Sequence, residues 1–205
     1  MRGGDKLVDR LRPRFNSRVD IIMKNKLKKY DTLHVLHNVV EAPAPRGRNF
    51  PEYRECIMPE GSGPLTLELG CGRGEYTLAL ARMFPEKRFI GVDIKGARLW
   101  HGATRAAEEG LSNVLFLRTR IEMLGSLLPE GSASEIWIPF PEPFVRNQSK
   151  YVARRLTSQR FLDVYRGILE PGGIINLKTD SDTLFDFTFR LARESGYDII
   201  HATDD

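Results

Sequence analysis

The chain has 205 residues, of which 41% are hydrophobic and 28% charged, with a net charge of +4, a composition that suits one globular domain with its own core. No apolar stretch is long enough to read as a membrane span or as the core of a signal peptide, so neither is expected. The only cysteines, Cys56 and Cys71, are too widely separated to suggest a metal-ligand pair or a disulfide framework, so the expectation is a reducing, cytoplasmic setting with no metal site.

Charge is unevenly distributed. Residues 1–50 hold twelve Lys/Arg against five Asp/Glu, so this quarter of the chain carries +7 and the rest −3. A basic arm of this kind suits phosphate contact through counterion release, and equally a solvated tail. Asp5, Asp9 and Asp20 argue against a transit peptide, and Met23 is an alternative start, so no function is placed on residues 1–22. Residues 25–40 are compatible with a short helix, and 41–64 are rich in Pro and Gly and read as linker. His34 and His37 have ligand-like spacing without a third ligand and are read as surface histidines. The expected organisation is an arm and linker over 1–63 and a folded domain over 64–205.

From Leu65 onward, short apolar runs alternate with amphipathic segments. The pattern predicts strands at 66–69, 88–93, 113–118, 135–139 and 173–178, with another beginning at 197–200; helices are predicted over 75–84, 96–109, 121–128, 157–169 and 183–195. Strict alternation implies a doubly wound, mostly parallel, Rossmann-like α/β sheet with ligands at the carboxyl ends of its strands.

The first of these strands runs into LELGCGRGEYTLALA (67–81). Gly70 and Gly72 permit a tight turn and close approach of a ligand to the backbone at the start of a helix. A dinucleotide fingerprint would need glycine at position 75, where this chain has Glu75, a poor neighbour for pyrophosphate. That disfavours a nicotinamide-dependent oxidoreductase. Glu68 precedes the first glycine by two positions and can meet a cationic group, while Asp93 ends the next strand, where an acid can bind both ribose hydroxyls. Ammonium, ribose and adenine without phosphate is the set S-adenosylmethionine presents. Cys71 inside the loop reads as a small packing residue.

The fourth strand stops in IWIPFPEPFVR (136–146), where three prolines stiffen a loop that carries one carboxylate. After it, Arg146, Lys150, Arg154, Arg155 and Arg160 give five cations with no acid between Glu142 and Asp163.

These segments, together with FIGVDIKGARLW, NVLFLRTRIEML, RRLTSQRFL and LEPGGIINLKTD, occur in the order seen in bacterial tRNA (guanine-N7-)-methyltransferases, and over residues 64–200 the chain resembles that family. The resemblance implies a class I S-adenosylmethionine-dependent methyltransferase acting on tRNA. It places Glu68, Gly70 and Asp93 at the cofactor, and aligns Thr119, with Arg120 beside it, where the family carries a further cofactor acid. The family loop F-P-D-P-W becomes Phe140-Pro141-Glu142-Pro143-Phe144 here, and its T-D becomes Thr179-Asp180. Arg146 stands four positions after Glu142, as the family's substrate-contacting Lys stands after its Asp. By this resemblance Glu142 is the candidate catalytic carboxylate, and Arg146, Arg154, Arg155 and Asp180 are candidates for the substrate. The stretch before Arg154 is about two residues longer than in the common family pattern. The family's T-x-Y-E segment and last antiparallel strand do not follow HATDD (201–205), which leads us to expect an open sheet edge. A shortened, non-catalytic RNA-binding relative is the rival reading.

Overall fold

The structure, a computed structural model, describes residues 28–29, 31–42, 57–146 and 149–203. Most of the basic arm, Met23 and most of the linker with Cys56 lie outside the described residues. Six strands form one sheet: β1 (Val39–Glu41), β2 (Leu65–Leu69), β3 (Arg88–Asp93), β4 (Val114–Arg118), β5 (Ala133–Pro139) and β6 (Leu169–Lys178). Their order is β1-β4-β3-β2-β5-β6, and every pairing is parallel. The helices are α1 (Glu75–Met83), α2 (Gly96–Glu108), α3 (Leu124–Leu127, after a 3-10 turn at Ile121–Met123), α4 (Ser149–Val152), α5 (Gln159–Ile168) and α6 (Asp182–Glu194). This is the doubly wound α/β architecture expected from the strand–helix alternation.

Strand side chains alternate between two cores because successive residues point to opposite faces. Leu67, Ile90, Val92, Leu115, Leu117, Ile136 and Ile138 pack with Phe161, Leu162 and Tyr165 of α5. On the other face Phe89, Val114 and Phe116 meet Leu78 of α1 and Leu99 and Ala103 of α2. The buried positions Leu99, Ala103 and Ala106 repeat at helical spacing, so α2 lays one stripe on the sheet and leaves its charged residues outside.

The short helix α4 is not expected from the sequence, and three segments at the edges of the sheet also differ from the sequence-based expectation. Residues 31–33 are helical, but Val39 and Val40, read as the end of that helix, and Glu41, read as linker, form the edge strand β1 beside β4. Phe116 N donates to Asn38 O at 2.8 Å and Ala42 N to Arg118 O at 3.1 Å, so an available strand edge overrides a weak local preference. At the other edge, β6 begins at Leu169, with a register irregularity opposite Ala133–Glu135 that absorbs the Pro171-Gly172-Gly173 turn. No strand forms at 197–200. Tyr197 Oη donates to Leu162 O at 3.1 Å, which fastens this segment to α5, while Ile200 is 78% exposed. The outer edge of β6 has no strand beside it among the described residues.

Candidate active site

The strand order dictates where a site can form. The chain proceeds from β2 outward to β3 and β4, then crosses back to β5 and β6, so the order reverses between β2 and β5 and opens a crevice at their carboxyl ends. These two strands pair directly, with Glu68 opposite Trp137. The glycine loop and the PFPEPF loop therefore flank one crevice.

The glycine loop is tied to β3: Gly70 N and Cys71 N both donate to Val92 O, at 2.8 and 3.1 Å. Gly70 (φ 74°) adopts a left-handed conformation, and a Cβ there would meet nothing within 4 Å. Its glycine is required by the turn alone, which leaves the backbone open to a ligand. Gly74 is different. It combines φ 70° with direct contact of any Cβ with Phe116, whose buried ring fills the space beneath the loop. The same ring faces Gly102 of α2, where a Cβ would lie 2.7 Å from Cζ. Sequence reasoning missed both Gly74 and Phe116, because their contact joins elements separated by some forty positions. Cys71 is buried against Gly91, and burial pushes its thiol well above the usual range, which leaves it inert packing.

Asp93 closes the loop from β3. One carboxylate oxygen accepts from Gly72 N at 2.9 Å and the other from Lys95 N at 2.8 Å. Each oxygen keeps further lone-pair capacity, so the group can serve a diol while organising both loops. Glu68 is 5% exposed, and its Oε2 accepts from Thr77 N at 2.7 Å and from the Thr77 hydroxyl. Burial outweighs these bonds and raises its pKa to about 7. Nearby Asp93 and Glu75 push in the same direction. The buried carboxyl is thus held close to its titration point, and an incoming cation would favour its charged form. Among the described residues no group of three or more His, Cys, Asp or Glu could hold a metal ion.

Thr119 and Arg120 follow β4, one strand beyond Asp93. Thr119 N donates to Asp93 O at 3.3 Å, and its buried hydroxyl has no hydrogen-bond partner. Arg120 is exposed, with Glu122 at 3.9 Å.

The PFPEPF loop is constrained at both ends. Phe140 (φ 48°) and Phe144 (φ 43°) are left-handed, a conformation that costs a bulky residue about 1–3 kcal/mol and persists only where its surroundings hold it. Phe140 N donates to Lys178 O at 2.7 Å, and Pro139 sits opposite Lys178 in the ladder. Strands β5 and β6 are therefore neighbours, which puts the starts of the Glu142 and Asp180 loops roughly 5 Å apart. Both carboxylates are exposed, with no hydrogen bond or ion pair among the described residues. The intervening Thr179 accepts from Ser181 N at 3.1 Å, and Ser181 Oγ caps α6 by accepting from Leu184 N at 3.3 Å.

The five cations after Glu142 divide. Arg146 and Lys150 are exposed beside the Tyr151 ring, and Arg154 is exposed with its guanidinium 4.8 Å from the centroid of Phe144. Arg160 is engaged by Glu122 at 3.1 Å. Arg155 corrects the sequence reading, which placed it on the substrate. It is 2% exposed, and its Nε and Nη2 donate to Pro143 O at 3.0 Å and Phe144 O at 3.1 Å. A guanidinium enclosed in this way cannot reach a phosphate on the surface. Arg154, the residue before it, differs so sharply because the turn after α4 sends one arginine outward and the other inward.

A family model described as "Putative methyltransferase" matches residues 62–205. A curated tRNA (guanine-N(7)-)-methyltransferase of Porphyromonas gingivalis is 54% identical over 142 residues, which is 69% of this chain and 57% of that protein. One of Bacteroides fragilis is 44% identical over 188 residues, 89% of this chain and 72% of that protein. Among solved structures, the antibiotic-resistance methyltransferase Kmr is 22% identical with a TM-score of 0.48, covering 66% of this chain and 77% of that one. The chain thus spans between about half and three quarters of the length of the curated relatives it matches. The glycine loop, the two carboxylate loops, the family match and the identities to the curated relatives lead to one conclusion: the chain belongs to the tRNA (guanine-N7-)-methyltransferase family.

Proposed function

We propose that this chain transfers a methyl group from S-adenosylmethionine to N7 of a guanosine in tRNA, in the variable loop as the family resemblance implies, in a cytoplasmic setting. The observation that carries the reading is the placement of two exposed carboxylates, Glu142 and Asp180, on adjacent strand ends beside the glycine loop.

The donor set fits the cofactor. Glu68 offers a buried carboxyl to an ammonium, Asp93 offers acceptor capacity to a ribose diol, and Gly70 leaves room for close approach. Gly72 supports the turn, while Thr119 and Arg120 lie on the far side of Asp93, where an adenine would reach. When bound, S-adenosylmethionine supplies an electrophilic methyl on a sulfonium. Guanine N7 carries a lone pair and no proton, so the protein needs no strong base; as the N–C bond forms, the purine becomes cationic. Glu142 offsets that charge, and Asp180 accepts from the base's N1–H and amino donors. Arg146 and Arg154 would hold the RNA backbone, a contact that positions without specifying sequence.

Incubating the chain with unmodified tRNA and labelled cofactor, then mapping the modified base, tests the proposal. N7 methylation of a guanosine is expected; modification elsewhere, or none, refutes it. The non-catalytic rival would bind tRNA and show no heat with S-adenosylmethionine.

Two expected results concern binding. Asp93→Ala removes the acceptor of two backbone amides, so a destabilisation of about 1–3 kcal/mol is expected in denaturant titration, accompanied by weaker S-adenosylmethionine binding in calorimetry. Unchanged cofactor affinity would place the ribose elsewhere. For Arg154→Ala, weaker tRNA binding is expected, with the log–log salt slope shallower by about one unit if the side chain contacts one phosphate. An unaltered slope would return Arg154 to the solvated surface.

A further inference from the structure

We propose that Arg155 is a positioning residue, a buried strut that fixes the 140–144 loop against α6 and so sets Glu142 relative to Asp180. The inference rests on the reading of those two carboxylates given above. Its guanidinium donates to the carbonyls of Pro143 and Phe144, the two residues immediately after Glu142, at 3.0 and 3.1 Å. Phe144 is the left-handed residue at the end of that loop, so these bonds act where the backbone most needs restraint. On its other side the guanidinium packs over the Phe187 ring, 4.5 Å from the centroid. Phe187 belongs to α6, the helix that begins two positions after Asp180. A second tie lies alongside: the hydroxyls of Thr157 and Thr188 are 2.6 Å apart. One side chain therefore bridges the segment after Glu142 and the helix after Asp180.

The chemistry explains why arginine serves here. Among the described residues no carboxylate pairs with it, and desolvation works against its charge. Such a cation is tolerated where carbonyl dipoles and an aromatic face replace water. Lysine would keep the charge but could not reach two successive carbonyls with a planar fork. An apolar side chain would fill the volume and leave both carbonyls without a donor.

The test compares wild type with Arg155→Lys, with Phe187→Leu as a second variant that removes only the aromatic side of the strut. Backbone hydrogen exchange is expected to accelerate about tenfold over 140–146 and the first turn of α6, with β2–β4 unchanged. In kinetics, kcat is expected to fall by about 10–100-fold while the tRNA KM and the S-adenosylmethionine Kd stay within about twofold. Phe187→Leu should show the same pattern at smaller amplitude. In a Glu142→Gln background, Arg155→Lys should cost no more than about a further threefold, because both changes act through one carboxylate. Unchanged exchange over 140–146 in both variants, full additivity with Glu142→Gln, or a raised tRNA KM at intact kcat with a shallower salt slope would each overturn the proposal. If wild type methylates no guanosine in tRNA, the functional reading fails on that control, and the exchange comparison by itself decides whether Arg155 holds the loop.

Discussion

Glu142→Gln is expected to slow single-turnover methyl transfer by about 10²–10³-fold, the usual cost of removing one electrostatic contact to a developing charge. The amide keeps the shape of the side chain and loses the negative charge that offsets the cationic purine. S-adenosylmethionine affinity should remain within about twofold of wild type, since Glu142 stands across the β2–β5 crevice from Glu68 and Asp93 and touches neither glycine-loop element. Asp180→Asn should behave similarly, with a larger share of the loss appearing in tRNA KM because its proposed contacts are present before the transition state. The pH profile discriminates further. N7 has no proton to lose, so the chemical step should be nearly flat between about pH 6 and 8. A steep rise over that range, abolished by Glu142→Gln, would mean a general base and a protonated target atom such as N1 or an exocyclic amine.

Glu68→Gln is expected to have opposite effects on stability and binding. In the folded protein the carboxyl titrates at about 7, against 4.5 for the ordinary value, so the folded state binds its proton more tightly than the unfolded chain does. Stability of the wild type therefore falls as pH rises from 4.5 through 7, and the penalty is complete above that window. The difference corresponds to about 3 kcal/mol for a group this deeply buried. Glutamine escapes the penalty while still offering an oxygen to Thr77, so the variant should unfold at higher denaturant than wild type at pH 8 and show little advantage near pH 5. Cofactor binding should move the other way. Wild-type affinity is expected to weaken by up to about tenfold per unit as pH falls from 7 toward 5.5, because the ammonium requires the carboxylate. The variant should bind weakly and without that slope. A Glu68→Gln protein that is less stable at pH 8 and binds S-adenosylmethionine normally would reduce Glu68 to a structural acceptor for Thr77.

The strands of the central sheet were legible because apolar runs bounded by Gly and Pro report burial directly. RFIGVD predicts a strand over 88–93 and forms one over those residues. The glycine loop was equally legible, since positive backbone dihedrals at Gly70 and Gly72 are a local demand that a sequence displays. The loop carrying Glu142 was readable from its prolines, although the left-handed Phe140 and Phe144 were not, because nothing local favours that conformation in phenylalanine. Val39–Glu41 and residues 197–200 show the limit from both sides. Each is a short segment with an apolar pair; the first pairs with the edge of β4, whereas the second is held to α5 through Tyr197 although the outer edge of β6 has no strand beside it among the described residues.

What the sequence determined by itself is therefore the alternation of elements, the turn chemistry of the glycine loop, and the identity of the acids at the strand ends, all of which depend on residues near one another in the chain. Tertiary structure alone decided the rest. It separated Arg154 from Arg155, two identical neighbours, by placing one at the surface and enclosing the other between Pro143, Phe144 and Phe187. It raised the pKa of Glu68 by burying it under α1, and it made Gly74 indispensable by placing Phe116 beneath it. Burial, desolvation and close packing arise between groups distant in sequence, and their strength is set by the folded surroundings, so no local pattern can carry them.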